Sequence, residues 1–155
     1  MTPARDPAAG LSLIEVLVVL AIVGVMAGVT TLGLGALGQG AQGEAEASRL
    51  AARLQLAADE AMVSGTPLAL VWDERAYRFL QWDGVDRAWK AAELGDLGTL
   101  HRLAAGLRLQ PEGADGPVLI TPDLPQPPVV LPLTDGAGGW RVAFDGFAAS
   151  TTVGN

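Results

Sequence analysis

The chain contains no cysteine. Disulfide frameworks, zinc–thiolate sites, iron–sulfur centres and thiol nucleophiles are therefore excluded. It has one histidine, His101, so a two-histidine metal site or a facial triad cannot be assembled within one copy. Charge is scarce as well. Only 17% of the residues are charged, where ordinary soluble chains carry about a quarter. Basic charge is scarcer still, with 10 Lys and Arg against 17 Asp and Glu and a formal net charge of -7. A surface that grips phosphate backbones is disfavoured by that balance. No G-x-S-x-G, H-E-x-x-H, P-loop or EF-hand loop occurs. No catalytic residue, metal site or cofactor site is assigned. Proline is missing from the whole stretch between Pro7 and Pro67, so nothing there forbids a long helix.

What the chain does have is a concentrated apolar block. Half of its 155 residues are hydrophobic, and the 22 residues from Val16 to Leu37 carry no charge. A bilayer core takes about 20 such residues as a helix, so residues 11–33 read as a membrane-spanning helix. A cleavable secretory signal would show a basic start, a shorter apolar run and an A-x-A cut site. Here Arg5 and Asp6 cancel, the run is longer and no A-x-A follows. Glu15 is the anomaly in the block. An ionised group at a bilayer centre costs about 2.5–3.5 kcal/mol, so it calls for a partner. Residues 11 and 15 are four apart and share one helical face. Gly24 and Gly28 form a G-x-x-x-G spacing, which lets membrane helices approach closely.

The run from Gly10 through Leu-Ser-Leu-Ile to Glu15, followed by Val-Leu-Val-Val-Leu-Ala-Ile-Val, resembles the N-terminal signal of type IV pilins and type II secretion pseudopilins. The resemblance implies a short leader that ends in glycine and is removed by a membrane prepilin peptidase. The cut would fall between Gly10 and Leu11, and Leu11 would then be N-methylated. Leu11 stands where phenylalanine is usual in that family, and the leader is hardly basic. The resemblance further implies a leader in the cytoplasm, a single pass through the bacterial inner membrane and a periplasmic outer domain. Glu15 would be the family's special glutamate. In low dielectric its carboxylate would pair with the free amine of a neighbouring subunit, and an unpaired carboxylate would penalise wrong docking.

Downstream lies a glycine-rich stretch. Gly33-Leu-Gly35-Ala-Leu-Gly38 matches the dinucleotide-binding pattern G-x-G-x-x-G. The context is wrong for a βαβ unit, because an apolar span precedes it and little helical pattern follows. The mechanical reading is preferred. Each glycine costs a helix about 1 kcal/mol relative to alanine, so glycines 33, 35, 38, 40 and 43 predict a loosened segment with a break over 38–43.

From Glu44 to Ser64 the helical period returns. Leu50, Leu54, Ala57 and Ala61 form one stripe, with Arg49, Arg53, Asp59 and Glu60 largely off it. Gly65 is placed as a C-cap before Pro67. Beyond it the period changes to two. Strands are expected at 68–72 and 76–82, joined as a hairpin, and at 107–109, 118–121, 129–131 and 140–144. Prolines at 111, 117, 122, 125, 127, 128 and 132 confine several of these to edges or loops. Trp89 is expected to pack on the helix, and Trp72, Trp82 and Trp140 to serve as core and rim. His101 reads as a surface residue. Asp83 and Asp86 flank a glycine turn without enough further ligands for calcium.

The expected fold is α+β and pilin-like. A long N-terminal membrane-spanning helix continues, with a Gly-rich break, into a helix packed on a small antiparallel β-sheet domain. Its divisions are a leader at 1–10, a transmembrane and assembly helix at 11–37, the break at 38–43 and a periplasmic domain at 44–155. Residues 50–70, LAARLQLAADEAMVSGTPLAL, are similar to the H-type minor pseudopilins of the GspH/FimT group. That resemblance implies a non-enzymatic subunit near the pseudopilus tip of a type II secretion system. Its partners would be prepilin peptidase, other major and minor pseudopilins, and the inner-membrane assembly platform. Two alternatives remain at this point: a minor pilin of a type IV pilus, and a signal-anchored periplasmic protein of another class. In one pilin branch a basic outer face is thought to bind DNA. Residues 66–155 carry 7 Lys and Arg against 11 Asp and Glu, net -4, which makes a nucleic-acid partner unlikely.

Overall fold

The computed structural model describes residues 13–113, 116–122, 127–136 and 138–154, with backbone alone over 26–39. Gly10 and Leu11 lie outside the described residues. The chain divides into two compact units, Met1–Gln39 and Gly40–Asn155. In the first, the described residues form the opening of helix α1 (Leu13–Ser64). Its large side chains have no cover: Leu13 is 82% exposed, Ile14 69% and Val25 68%. Among the described residues no helix is long and apolar enough to cross a membrane, and described side chains of the apolar block run only over 13–25.

The backbone of α1 is helical through 38–43, and the division between the two compact units falls inside this glycine-rich stretch, at Gln39–Gly40. Helix propensity is a small, summed quantity that tertiary contact overrides. One such contact lies at Gly43. A Cβ on this residue would overlap ring carbons of Trp140, so the bare backbone is where the indole seats against the helix. The glycine supplies room for packing there.

In the second unit, α1 meets two antiparallel sheets. Strands β1 (Leu68–Asp73), β2 (Ala76–Asp83), β3 (Ala88–Ala91), β4 (His101–Arg102) and β6 (Val118–Ile120) form one sheet, ordered β3-β2-β1-β6 with β4 also on β2. Strands β5 (Arg108–Leu109), β7 (Val129–Thr134), β8 (Gly139–Phe144) and β9 (Ala149–Gly154) form the other, in the order β5-β7-β8-β9. Alternate side chains of a strand share one face of its sheet, and β1, β2, β6, β7 and β8 supply buried ones. Leu68 opposes Ile120, while Leu70 opposes both Phe79 and Val118. In the second sheet Leu131 opposes Val142, and Val129 opposes Phe144. These residues, with Val129 packed against them, join Ala47, Leu50, Leu54, Ala57, Ala58 and Ala61 of the helix in one core cluster. The predicted stripe is thus the buried face of α1. Removing one of its leucines to alanine costs about 2–5 kcal/mol.

The helix stops at Ser64, and Gly65 takes a φ of 64°, the left-handed conformation that its C-cap role requires. Ser64 Oγ donates to Glu60 O at 2.8 Å and accepts Thr66 N–H at 3.2 Å. Proline does not confine β7 to an edge. Pro132 lies within it, paired with Arg141, and β7 is interior to its sheet. The Pro132 carbonyl accepts Gln110 N–H at 3.1 Å, so the nitrogen without a proton faces the same side, toward the segment that follows β5. The reciprocal bond to Gln110 is the one that proline gives up, and the pairing resumes at Glu112↔Val130.

Candidate functional site

The first element of interest is the opening of α1. Glu15 lies in its first turn, where a carboxylate interacts favourably with the helix dipole, worth about 0.3–1 kcal/mol at an exposed position. The side chains around it are apolar and uncovered, among them Ile14, Val16, Leu17, Val18 and Val19. Gly24 is exposed, and a Cβ there would meet nothing within 4 Å. Gly28 is helical, with no side chain to place. An apolar helix face of this kind is out of equilibrium with water unless lipid or another apolar helix covers it. One acid in such a face gives the covering surface a register, because only one docking pairs it.

The second element is a polar layer between α1 and the first sheet. Glu46 is only 9% exposed and Arg53 6%. Both face inward, against the expectation that the arginine lies off the stripe. Glu46 Oε2 lies 2.8 Å from His101 Nε2 at β4, and Arg49 approaches the other carboxylate oxygen at 3.6 Å. His101 is therefore not a bare surface residue: its ring lies 5.1 Å from that of Tyr77, tilted by 55°. The Arg53 guanidinium donates to the carbonyls of Asp96 at 2.6 Å, Leu97 at 3.2 Å and Thr99 at 3.4 Å. It also lies 5.1 Å above the Tyr77 ring and 5.7 Å above that of Phe79. A helix residue thus fixes the loop that follows β3. Burial raises the Tyr77 phenol above its ordinary pKa, and the positive charge of Arg53 partly offsets this. Among the described residues the Tyr77 hydroxyl and Arg53 Nε have no hydrogen-bond partner. The layer has no nucleophile–base geometry and reads as an interlock between elements.

Sequence reasoning missed this layer. The signal was available in spacing: Glu46 stands four residues before Leu50, in line with the core stripe, and Arg53 stands seven after Glu46.

The tryptophans divide differently from expectation. Trp72 and Trp140 pack against the core. Trp89 lies on β3 opposite Trp82, rings 5.5 Å apart and near perpendicular, rather than on the helix. At the turn between β2 and β3, Asp83 Oδ1 accepts Val85 N–H at 2.8 Å and Asp86 N–H at 3.0 Å. Lys90 Nζ lies 2.5 Å from carboxylate oxygens of both Asp83 and Asp86. The ammonium occupies the place a cation would take. Lys90 and the turn amides lower the Asp83 pKa to about 2. Among the described residues no group of three or more His, Asp or Glu could hold a metal ion.

Comparison with known proteins assigns both halves. Residues 5–31 match the prokaryotic N-terminal methylation motif, and residues 46–154 match the family described as type II transport protein GspH. No curated protein matches the chain. Two solved structures of the minor pseudopilin EpsH from the type II secretion system of Vibrio cholerae are similar in fold. One gives a TM-score of 0.59 at 22% identity, covering 72% of this chain and 95% of its own. The other gives 0.61 at 19% identity, covering 74% and 95%. The α+β architecture is thus that of a pilin-like outer domain, carried behind a methylation-type N-terminus. The chain belongs to the GspH family of type II transport proteins, the minor pseudopilins of type II secretion.

Proposed function

We propose that this chain acts by assembly and not by catalysis, as a subunit at or near the tip of a pseudopilus. Prepilin peptidase removes residues 1–10 between Gly10 and Leu11 and methylates the new terminus. The helix from Leu11 is held in the inner membrane in a single pass, leader side cytoplasmic and outer domain periplasmic. Extracted for assembly, it docks beside other pseudopilins, with Glu15 paired to a neighbouring N-terminal amine. Gly24 and Gly28 are the positions of closest helix approach. The glycines over 38–43 mark the boundary between assembly helix and outer domain. In this way the chain supports export of folded proteins across the outer membrane.

The observation that carries the reading is the opening of α1: an uncovered apolar surface with Glu15 as its one described acid, inside the matched methylation motif. Mass spectrometry of the membrane form tests the processing step. The expected product begins at methylated Leu11, and an intact or differently cut terminus rejects it. For the assembly step, Glu15→Ala is expected to be processed normally yet to fail incorporation, with exoprotein release lost. Normal secretion by that variant rejects the role of Glu15. A deletion that abolishes twitching or transformation and spares secretion places the chain in a type IV pilus instead.

A further inference from the structure

The loop after β4 closes with the Leu107 N–H donating to Ala104 O at 3.1 Å. It is tied to the β1–β2 turn by the Leu103 N–H, which donates to Arg75 O at 2.9 Å. Between these segments lies an open cavity of about 300 Å³, lined by Arg75, Arg102 and Arg108 together with Leu103, Ala104 and Ala105. Residues 66–155 hold only 7 Lys and Arg, and three of them line this one cavity. They do so in a stretch whose net charge is -4.

These cations are poorly neutralised. Among the described residues Arg75 and Arg102 have no carboxylate partner, and Arg108 has only Glu74, at 3.8 Å with both side chains half exposed. Lys90, by comparison, is held by two carboxylates at 2.5 Å. Arginines that line one cavity bring like charge together, and an entering anion relieves the repulsion. A guanidinium is a planar fork that matches a carboxylate in bidentate geometry. Leu103, Ala104 and Ala105 supply apolar wall for the methylenes of an acidic side chain. Beyond the Debye length of about 8 Å at physiological salt the local field is screened, so the pocket suits one short acidic group. A long polyanion would also meet the negative charge of the surrounding domain.

We propose that this pocket binds carboxylate side chains presented by an acidic peptide segment of a partner protein. That the partner is a neighbouring subunit rests on the assembly reading above; the binding chemistry does not. The test is a calorimetric titration of the full-length protein in detergent micelles with a triglutamate peptide, inorganic phosphate and a single-stranded oligonucleotide as separate probes. The peptide is expected to bind in a salt-dependent manner. Arg75→Gln with Arg102→Gln should weaken it about tenfold, and Arg78→Gln should leave it unchanged. Circular dichroism checks that each variant is folded, and Arg108→Gln provides a second, independent variant. Failure of the peptide to bind, equal binding by the variants, or tighter binding of phosphate or oligonucleotide overturns the proposal. Because this titration does not depend on processing or on Glu15, its failure is distinguishable from failure of the assembly reading.

Discussion

Glu46 Oε2 and His101 Nε2 lie 2.8 Å apart, joining the helix to a strand only two residues long. β4 pairs with β2 over Ala76↔Arg102 and Tyr77↔His101 alone, so its backbone ladder is minimal. The side-chain bridge, the Tyr77 ring contact and the three carbonyl contacts of Arg53 do much of the work of seating this part of the chain.

Truncating one partner strands the other in a nearly closed site. Glu46→Ala is expected to lower stability by about 1–3 kcal/mol, read as a reduced urea midpoint. A cycle of Glu46→Ala and His101→Ala should show a coupling energy of about 0.5–3 kcal/mol. Strict additivity of the two would show that the pair contributes nothing.

Gly43→Ala sets propensity against space. In an exposed helix the change gains about 1 kcal/mol. Here the new methyl overlaps the Trp140 ring, so the variant should be less stable by about 1–3 kcal/mol. Trp140 fluorescence should shift with it. In a Trp140→Leu background the penalty should shrink or reverse, and a stabilised Gly43→Ala single variant would contradict the packing described.

Asp83 gives a pH signature. Its folded pKa is about 2, below the ordinary 3.8, through Lys90 and the turn amides. For a depressed carboxylate, the stabilisation is present above the unfolded pKa and is lost as pH falls through the folded one. The turn between β2 and β3 should therefore hold to about pH 3.8 and loosen progressively toward pH 2. Carboxyl NMR titration should place the Asp83 midpoint near 2, and Lys90→Met should move it upward toward 3.8. An unchanged midpoint in the variant would remove the lysine from the account.

Much of this fold is legible in the chain because its core is written in periodicity. Leu50, Leu54, Ala57 and Ala61 repeat at helical spacing, and Tyr77 and Phe79 at strand spacing; all six are buried. Gly65 followed by Pro67 marks the helix end where it falls. What is not legible depends on distant partners. β9, sequence ASTTVG, has no apolar alternation and exists because β8 offers it a ladder. β3 and β4 are equally weak alone and are held by β2. Gly43 reads locally as a helix breaker, since nothing nearby announces Trp140. Glu46 and Arg53 are charged residues whose burial makes sense only once His101 and the carbonyls of 96–99 are in place.

The way α1 enters the outer domain has a mechanical consequence. Between Gly43 and Ala61 the helix is gripped along its length, first by an indole, then by a carboxylate bridge, then by a guanidinium clamp and interdigitated leucines. Tension drawn along its axis from residue 40 meets all of these contacts in parallel, as a rod pulled lengthwise through a fitted sleeve. Peeling would break them one at a time, but this direction demands that they yield together, so the domain should resist dragging far better than its modest size implies.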